Sequence, residues 1–253
     1  MSSLESKAVS NKRFKMLAQE MASYAAEVIE KDKTKEGILL CEGTAESIDV
    51  ALYSEVYPSL VVIPANGCVE IRKLVNLMKS CSEYEIFGII DRDNCSKQEM
   101  RRMEKEEHVY CTKLPFIENI ICCPEVLKII TKLYGVDYSE VLKVVRLGLA
   151  DILVDKLSLL NPFNVNLPSD KEVEMVSITI VTKTDVVQKR IDLSNVMYTF
   201  RNKAIVGKVA DAMEMHGKDE YYRFIKRQLK GEMKDKLVYT MSKYLPNIHI
   251  TEI

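Results

Sequence analysis

The sequence predicts an α/β fold: a small doubly wound parallel sheet with an N-terminal helix, followed by a mostly helical region that contains a β-hairpin. Two observations carry this. Between residues 37 and 111, short continuous apolar runs (ILLC, LVVIP, IFGII, HVYC) alternate with segments of helical spacing. That is the pattern of parallel strands buried on both faces by crossover helices. Beyond residue 124 the apolar periodicity lengthens to helix size, and only one pair of strand-like runs remains.

In chain order, residues 13–31 (RFKMLAQEMASYAAEVIEK) carry apolar positions at helical spacing and predict an amphipathic helix, stopped by the charged KDKTKEG and Gly37. Residues 38–41 are the first strand and 45–53 a helix. Residues 60–64 are the second strand, 69–78 a helix and 86–90 the third strand. A polar segment, 97–107, leads to a fourth strand at 108–111. Right-handed crossovers make this a doubly wound sheet. Helices follow at 126–133 and 138–160, then a breaker-rich loop at 161–170. Strands at 173–182 and 186–193 flank the turn 183–185, and helices at 201–215 and 221–244 close the chain. The expected divisions are 1–36, 37–123 and 124–253.

An apolar fraction of 47% is ample for a core. No apolar run reaches the roughly 18 to 20 residues that cross a bilayer, and the first 15 residues lack a signal-peptide core. The seven cysteines include no Cys-x-x-Cys pair, which argues against a zinc ribbon or a thioredoxin-like motif. The expectation is a reduced, cytoplasmic protein with no membrane partner. Charge is uneven: residues 37–125 hold 9 basic and 15 acidic residues, whereas 201–253 hold 11 basic and 7 acidic. Clustered carboxylates suit a hard cation, and Lys and Arg suit nucleic-acid phosphates. A modestly basic helical surface is also ordinary.

Ligands of an open parallel sheet gather at the carboxyl ends of its strands. The first strand runs into Glu42-Gly43, with Glu46 shortly after, and the third runs into Asp91-Arg92-Asp93. Mg²⁺ takes oxygen ligands and retains waters, so two or three carboxylates suffice. Each feature also has a plain structural role available to it. Asp-x-Asp serves as a turn or cap, Glu46 as a helix-dipole partner, and Gly67 as backbone geometry alone. Glu118-Asn119 opens a helix, where a carboxylate is favoured in any case. Gly207-Lys208 is not a phosphate-binding loop, since the other glycines are absent. His108, His216 and His249 share no ligand spacing.

The series ILLCEGTAES, VIPANGC and GIIDRDN resembles the Toprim domain shared by topoisomerases, primases, small maturation nucleases and overcoming-lysogenization-defect nucleases. Its pattern is a strand ending in Glu-Gly, a middle strand ending near a Gly, and a strand ending in Asp-x-Asp. Glu-Gly-x-x-Glu at Glu42 to Glu46 is closer to the overcoming-lysogenization-defect branch. LPFIENII (114–121) resembles a Leu-Pro…Glu-Asn signature of a Toprim-like family in bacterial defence loci, which includes the nuclease subunit of the phage anti-restriction-induced system. NKAIVGKVADAM (202–213) resembles a Gly-Lys motif of that family.

The resemblance covers residues 37–121, about a third of the chain. It implies a Mg²⁺-dependent (or Mn²⁺-dependent) endonuclease acting in antiviral defence on tRNA or DNA. It further implies an active homodimer controlled by a partner ATPase of the ABC or AAA type. Glu42 would be the acid-base residue, Asp91 and Asp93 metal ligands, and Glu46 and Glu118 secondary ligands. A strongly basic residue near Glu42 is missing, since Thr44-Ala45 stands there; Lys208 or Arg92 would have to contact the substrate. A DNA-nicking or processing nuclease, and a non-catalytic Toprim binding module, are the alternatives.

Overall fold

A computed structural model describes residues 3–93, 95–155, 175–181, 186–200 and 203–250 of the chain. The predicted loop 161–170, the turn 183–185 and the end of the helix predicted to reach residue 160 lie outside the described residues. Two compact units are present: Met1–Thr112 with Leu245–Ile253, and Lys113–Tyr244. The division after Thr112, rather than after Cys123, assigns LPFIENII to the second unit.

The first unit is built on four parallel strands, β1 (Gly37–Cys41), β2 (Leu60–Pro64), β3 (Glu85–Ile90) and β4 (Val109–Cys111), in the order β2-β1-β3-β4. Cys41 stands level with Pro64 on one side and Ile89 on the other. Every residue of β1 is buried, which explains why it reads as a continuous apolar run rather than an alternating one.

Ile38 and Leu40, Val61 and Ile63, Ile86 and Ile90, and Val109 and Cys111 form one core with α1 (Ser3–Lys31) and α3 (Cys68–Met78). Helix α2 (Ile48–Val56) packs on β2 and buries Ile48, Leu52 and Tyr53. Same-handed crossovers from β1 to β2 and from β2 back past β1 to β3 place α2 and α3 on opposite faces. The predicted doubly wound α/β sheet is therefore the observed one.

Helix α1 presents Ala18, Met21, Ala22, Ala25 and Ile29 to this core. The alanines let it approach α3 closely. It begins ten residues before its predicted start, because residues 3–12 carry only Leu4, Ala8 and Val9 as apolar groups, too few to give a periodicity signal. Gly88 holds α3 against the sheet. A Cβ there would lie 2.7 Å from Ile71 Cγ2 and 3.1 Å from Val75 and Val109 methyls.

The polar segment 97–107 folds into α4 (Lys97–Arg102), capped by the Ser96 hydroxyl accepting from Glu99 N (3.2 Å), and a π-helical turn, Met103–Glu107. Only Met103 of these residues is buried, so a hydrophobic stripe was never available to announce the helix. The turn ends with both Glu107 carboxylate oxygens on the Arg72 guanidinium at 2.6 Å. Arg72 holds the Glu107 carboxyl below the usual glutamate range. The pair's contribution to stability is complete above about pH 4.3, the ordinary glutamate value. It is lost as the pH falls through the lowered value. Glu107→Gln is expected to destabilise the protein at neutral pH and to flatten the acid limb of a stability-against-pH curve measured by urea denaturation.

The second unit comprises α5 (Ile117–Ile121), α6 (Pro124–Tyr134), α7 (Tyr138–Asp155), the antiparallel hairpin β5 (Met175–Val181) and β6 (Val186–Asp192), α8 (Leu193–Thr199), α9 (Ala204–Ala212), α10 (Lys218–Gln228) and α11 (Lys234–Ser242). Pro124 at the first turn of α6 and Gly135 at φ +84° after it are ordinary start and stop signals. The helix predicted over 221–244 is two helices, interrupted around Gly231, where glycine's low helix propensity outweighs the surrounding periodicity. Among the described residues, no helix is long and apolar enough to cross a membrane.

Candidate active site

In this strand order the chain leaves β1 toward β2 and leaves β3 toward β4, so the β1/β3 boundary is the topological switch point of the sheet. The crevice outside the carboxyl ends of the strands at such a point is where open α/β sheets bind ligands. Glu42 and Asp91 are the first residues beyond β1 and β3. The hydrophobic runs thus deliver both carboxylates to one edge, each half-buried.

The backbone there is tightly turned. Gly43 has φ +92° and pairs with Asn66, itself at φ +61°. A Cβ on Gly43 would lie 2.6 Å from Ser47 Oγ, so only glycine lets the chain fold back at this point. Ser47 then caps α2, accepting from Val50 N at 3.4 Å. On the second strand, Ala65 N donates to Cys41 O at 2.8 Å. Asn66 takes the left-handed conformation there, while Gly67 is extended and precedes α3. The Asp-Arg-Asp turn is tied to β4. Arg92 N donates to Thr112 Oγ1 at 3.0 Å, Thr112 N donates to Ile90 O at 3.0 Å, and Asp93 adopts φ +34°.

The carboxylates divide between the two faces of the edge. Continuing the strand alternation, Glu42 falls on the α3 side with Leu40, whereas Asp91 falls on the α2 side with Ile89. Neighbouring groups feel the two charges differently. Burial raises the Cys68 thiol at the start of α3, and the Glu42 charge raises it further. Burial pushes the Tyr53 phenol of α2 well up, with Asp49 and then Asp91 adding to it. Burial, Asp49 and Glu42 likewise raise Cys41. Among the described residues, no group of three or more His, Cys, Asp or Glu side chains gathers at metal-holding spacing. The donors are nonetheless hard oxygens. Mg²⁺ commonly takes one or two carboxylates and completes its shell with waters and substrate phosphate oxygens. On that donor chemistry the edge fits such an ion.

The other expected residues have definite places. Glu46 is not in the first turn of α2. It lies before the Ser47 cap, exposed, with Thr44 Oγ1 at 3.4 Å, because the helix starts at Ile48. The acid in that first turn is Asp49, whose Oδ2 would lie 3.6 Å from a Cβ on Gly43. Sequence reading missed Asp49, although Ser47 before the apolar Ile48 was the signal that could have found it. Asp93 is exposed and Arg92 is buried, 7% exposed. The Cys95 thiol, just beyond this turn, is hydrogen-bonded with Cys111, which lowers it despite its burial. All seven cysteines are free.

Glu118 and Lys208 belong to the second unit. Glu118 is buried at the start of α5, where its Oε1 receives Lys203 Nζ at 3.3 Å and the Tyr222 hydroxyl at 3.2 Å. Lys203 Nζ also sits over the Phe116 ring, 5.5 Å from its centroid. Lys208 lies in α9 with its stem across Gly148 of α7. A Cβ on Gly148 would come within 2.9 Å of Lys208 Cδ, whereas one on Gly207 would meet nothing within 4 Å. The glycine that matters to Lys208 is therefore Gly148, and the stem has a packing role there.

Compared with protein-family models, with curated proteins and with solved structures, the chain has no significant match.

Proposed function

We propose that the chain is a divalent-metal-dependent phosphodiester hydrolase, an endonuclease of Toprim type that serves as an effector in antiphage defence. The observation that supports it best is the delivery of Glu42 and Asp91 to the carboxyl edge of adjacent parallel strands at the switch point, with Asp49 in the first turn of the next helix. An ion held there would supply Lewis-acid polarisation of a phosphodiester. Glu42 would take or return the proton of the attacking and leaving oxygens. Asp91 and Asp49 would hold the cation, with waters and phosphate oxygens completing its shell, and Asp93 on the exposed limb of its turn would face the substrate side. Thr112 would fix the Asp-Arg-Asp turn through Arg92 N. Release or activation by a partner ATPase, action as a homodimer, and tRNA or DNA as the polymer complete this reading, which rests on the Toprim resemblance.

A non-catalytic binding module is the second reading. It is favoured by the separation of Glu42 and Asp91 onto opposite faces of the sheet edge. The test is to express the wild type in cells with its neighbouring gene, and to follow growth and the integrity of tRNA and chromosomal DNA. Discrete tRNA fragments support the nuclease reading with RNA as substrate, and nicked DNA with intact RNA moves the target to DNA. Growth arrest with both polymers intact favours the binding module.

A further inference from the structure

We propose that the outer face of α1 is a self-association surface on which a second copy of this chain docks in antiparallel orientation. The helix is 29 residues long, and its inner stripe is consumed by the sheet and α3. The opposite side still carries large apolar groups in water: Met16 is 52% exposed, Leu17 39% and Tyr24 59%. Met16, Gln19, Glu20, Ser23, Tyr24 and Glu27 line a shallow groove along this side. Apolar groups clustered on one helix face and rimmed by charge mark an interaction surface more often than scattered exposure does.

The charge sequence selects the occupant and its direction. Lys12, Arg13 and Lys15 precede Met16 and are exposed, whereas the exposed acids Glu20, Glu27 and Glu30 follow it. At about 1.5 Å rise per residue, Arg13 and Glu27 stand about 21 Å apart, near-symmetrically about Glu20. An antiparallel copy centred there brings Arg13 of one chain beside Glu27 of the other, at both ends of the contact. It also brings Met16 and Leu17 beside Tyr24 in the middle. A parallel copy instead sets bases against bases and acids against acids at both ends, while Glu20, at the centre, meets its own copy in either direction. The antiparallel arrangement is isologous, so it closes as a dimer and does not propagate. Glu27 is also within 3.8 Å of Lys31 on its own helix, a pair so exposed that it leaves Glu27 available to the other chain. The inference gives a surface to the homodimer of the proposed function, but it uses none of the catalytic residues, so its failure leaves the nuclease chemistry untouched.

Sedimentation velocity on the full chain tests it, with circular dichroism confirming unchanged helix content in each variant. The wild type is expected to dimerise at micromolar concentration, and Met16→Glu with Tyr24→Glu to be monomeric. Arg13→Glu alone and Glu27→Arg alone are each expected to weaken the dimer at least about tenfold. Combining the two in one chain restores it, because the reversed charges meet again only in the antiparallel pairing. A monomeric wild type overturns the proposal. So does a dimer indifferent to Met16→Glu with Tyr24→Glu, or a double charge reversal that fails to restore association.

Discussion

Glu42→Gln is expected to reduce cleavage of the target polymer by at least about 100-fold, the lower bound for losing a positioned acid-base group. It should also relieve growth arrest in cells that express the wild type with its neighbouring gene. The substitution keeps the size of the side chain and removes only its charge and proton affinity. Glu42 is half-buried at an edge rather than enclosed in the core, so the unfolding midpoint should stay close to that of the wild type. Glu46→Gln serves as the internal contrast. Four residues on, Glu46 is exposed and sits outside α2, so its loss should leave cleavage nearly intact. The assay follows tRNA and plasmid integrity over time for both variants. Equal cleavage by wild type and Glu42→Gln would remove Glu42 from the chemistry, and equal growth arrest with both polymers intact would leave the binding module as the better reading.

Asn119→Leu is expected to destabilise the second unit by about 3 kcal/mol. Asn119 is fully buried, and three hydrogen bonds converge on its amide. Phe116 N donates to Oδ1 at 3.2 Å, and Nδ2 donates to Met197 O at 3.0 Å and Phe200 O at 2.9 Å. The amide thus caps α5 and stitches it to α8 and the residue after it. Leucine matches the volume but strands two carbonyls and one N–H away from water, and each stranded group costs about 1–3 kcal/mol. Asn119→Asp should be no better, since it keeps the acceptor for Phe116 N and loses both donated bonds. Urea denaturation followed by far-ultraviolet circular dichroism reads the effect. A shift below about 0.5 kcal/mol, the range of an ordinary surface substitution, would show that the stitching is dispensable.

The sheet was legible because its strands are continuous apolar runs bounded by charged or turn residues. β2 spans the 60–64 expected of it, and β3 begins one residue early. The carboxylates at the strand ends were legible for the same reason, since strand boundaries fix which residues reach the edge. What lay beyond local pattern was lost. A start at residue 45 put Glu46 in the first turn of α2, but Ser47 offers the better cap and moves the helix to Ile48. Asp49 thereby gains the position expected of Glu46. Apart from Phe116, the side-chain partners of Glu118 and Asn119 lie 78 to 104 positions away in sequence. No periodicity argument reaches that far, so both read as helix-start residues while the fold uses them as tertiary anchors. Arg92, polar by type, is buried, and its backbone N–H is tied to Thr112. The face on which each carboxylate falls follows from strand alternation, and it separates Glu42 from Asp91 in a way that motif spacing conceals.

That separation makes cation binding the most direct test of the central claim that this edge holds a divalent ion. Electron paramagnetic resonance of Mn²⁺ titrated with the full chain, alone and with a nucleic-acid oligomer present, reads bound against free ion. The expected result is binding by the wild type that tightens when phosphates are supplied and weakens at least about tenfold in Asp91→Asn, whereas Glu42→Gln, which removes the proton-handling group and no ligand, binds like the wild type. Binding by Asp91→Asn equal to that of the wild type, or none by the wild type with the oligomer present, would contradict it.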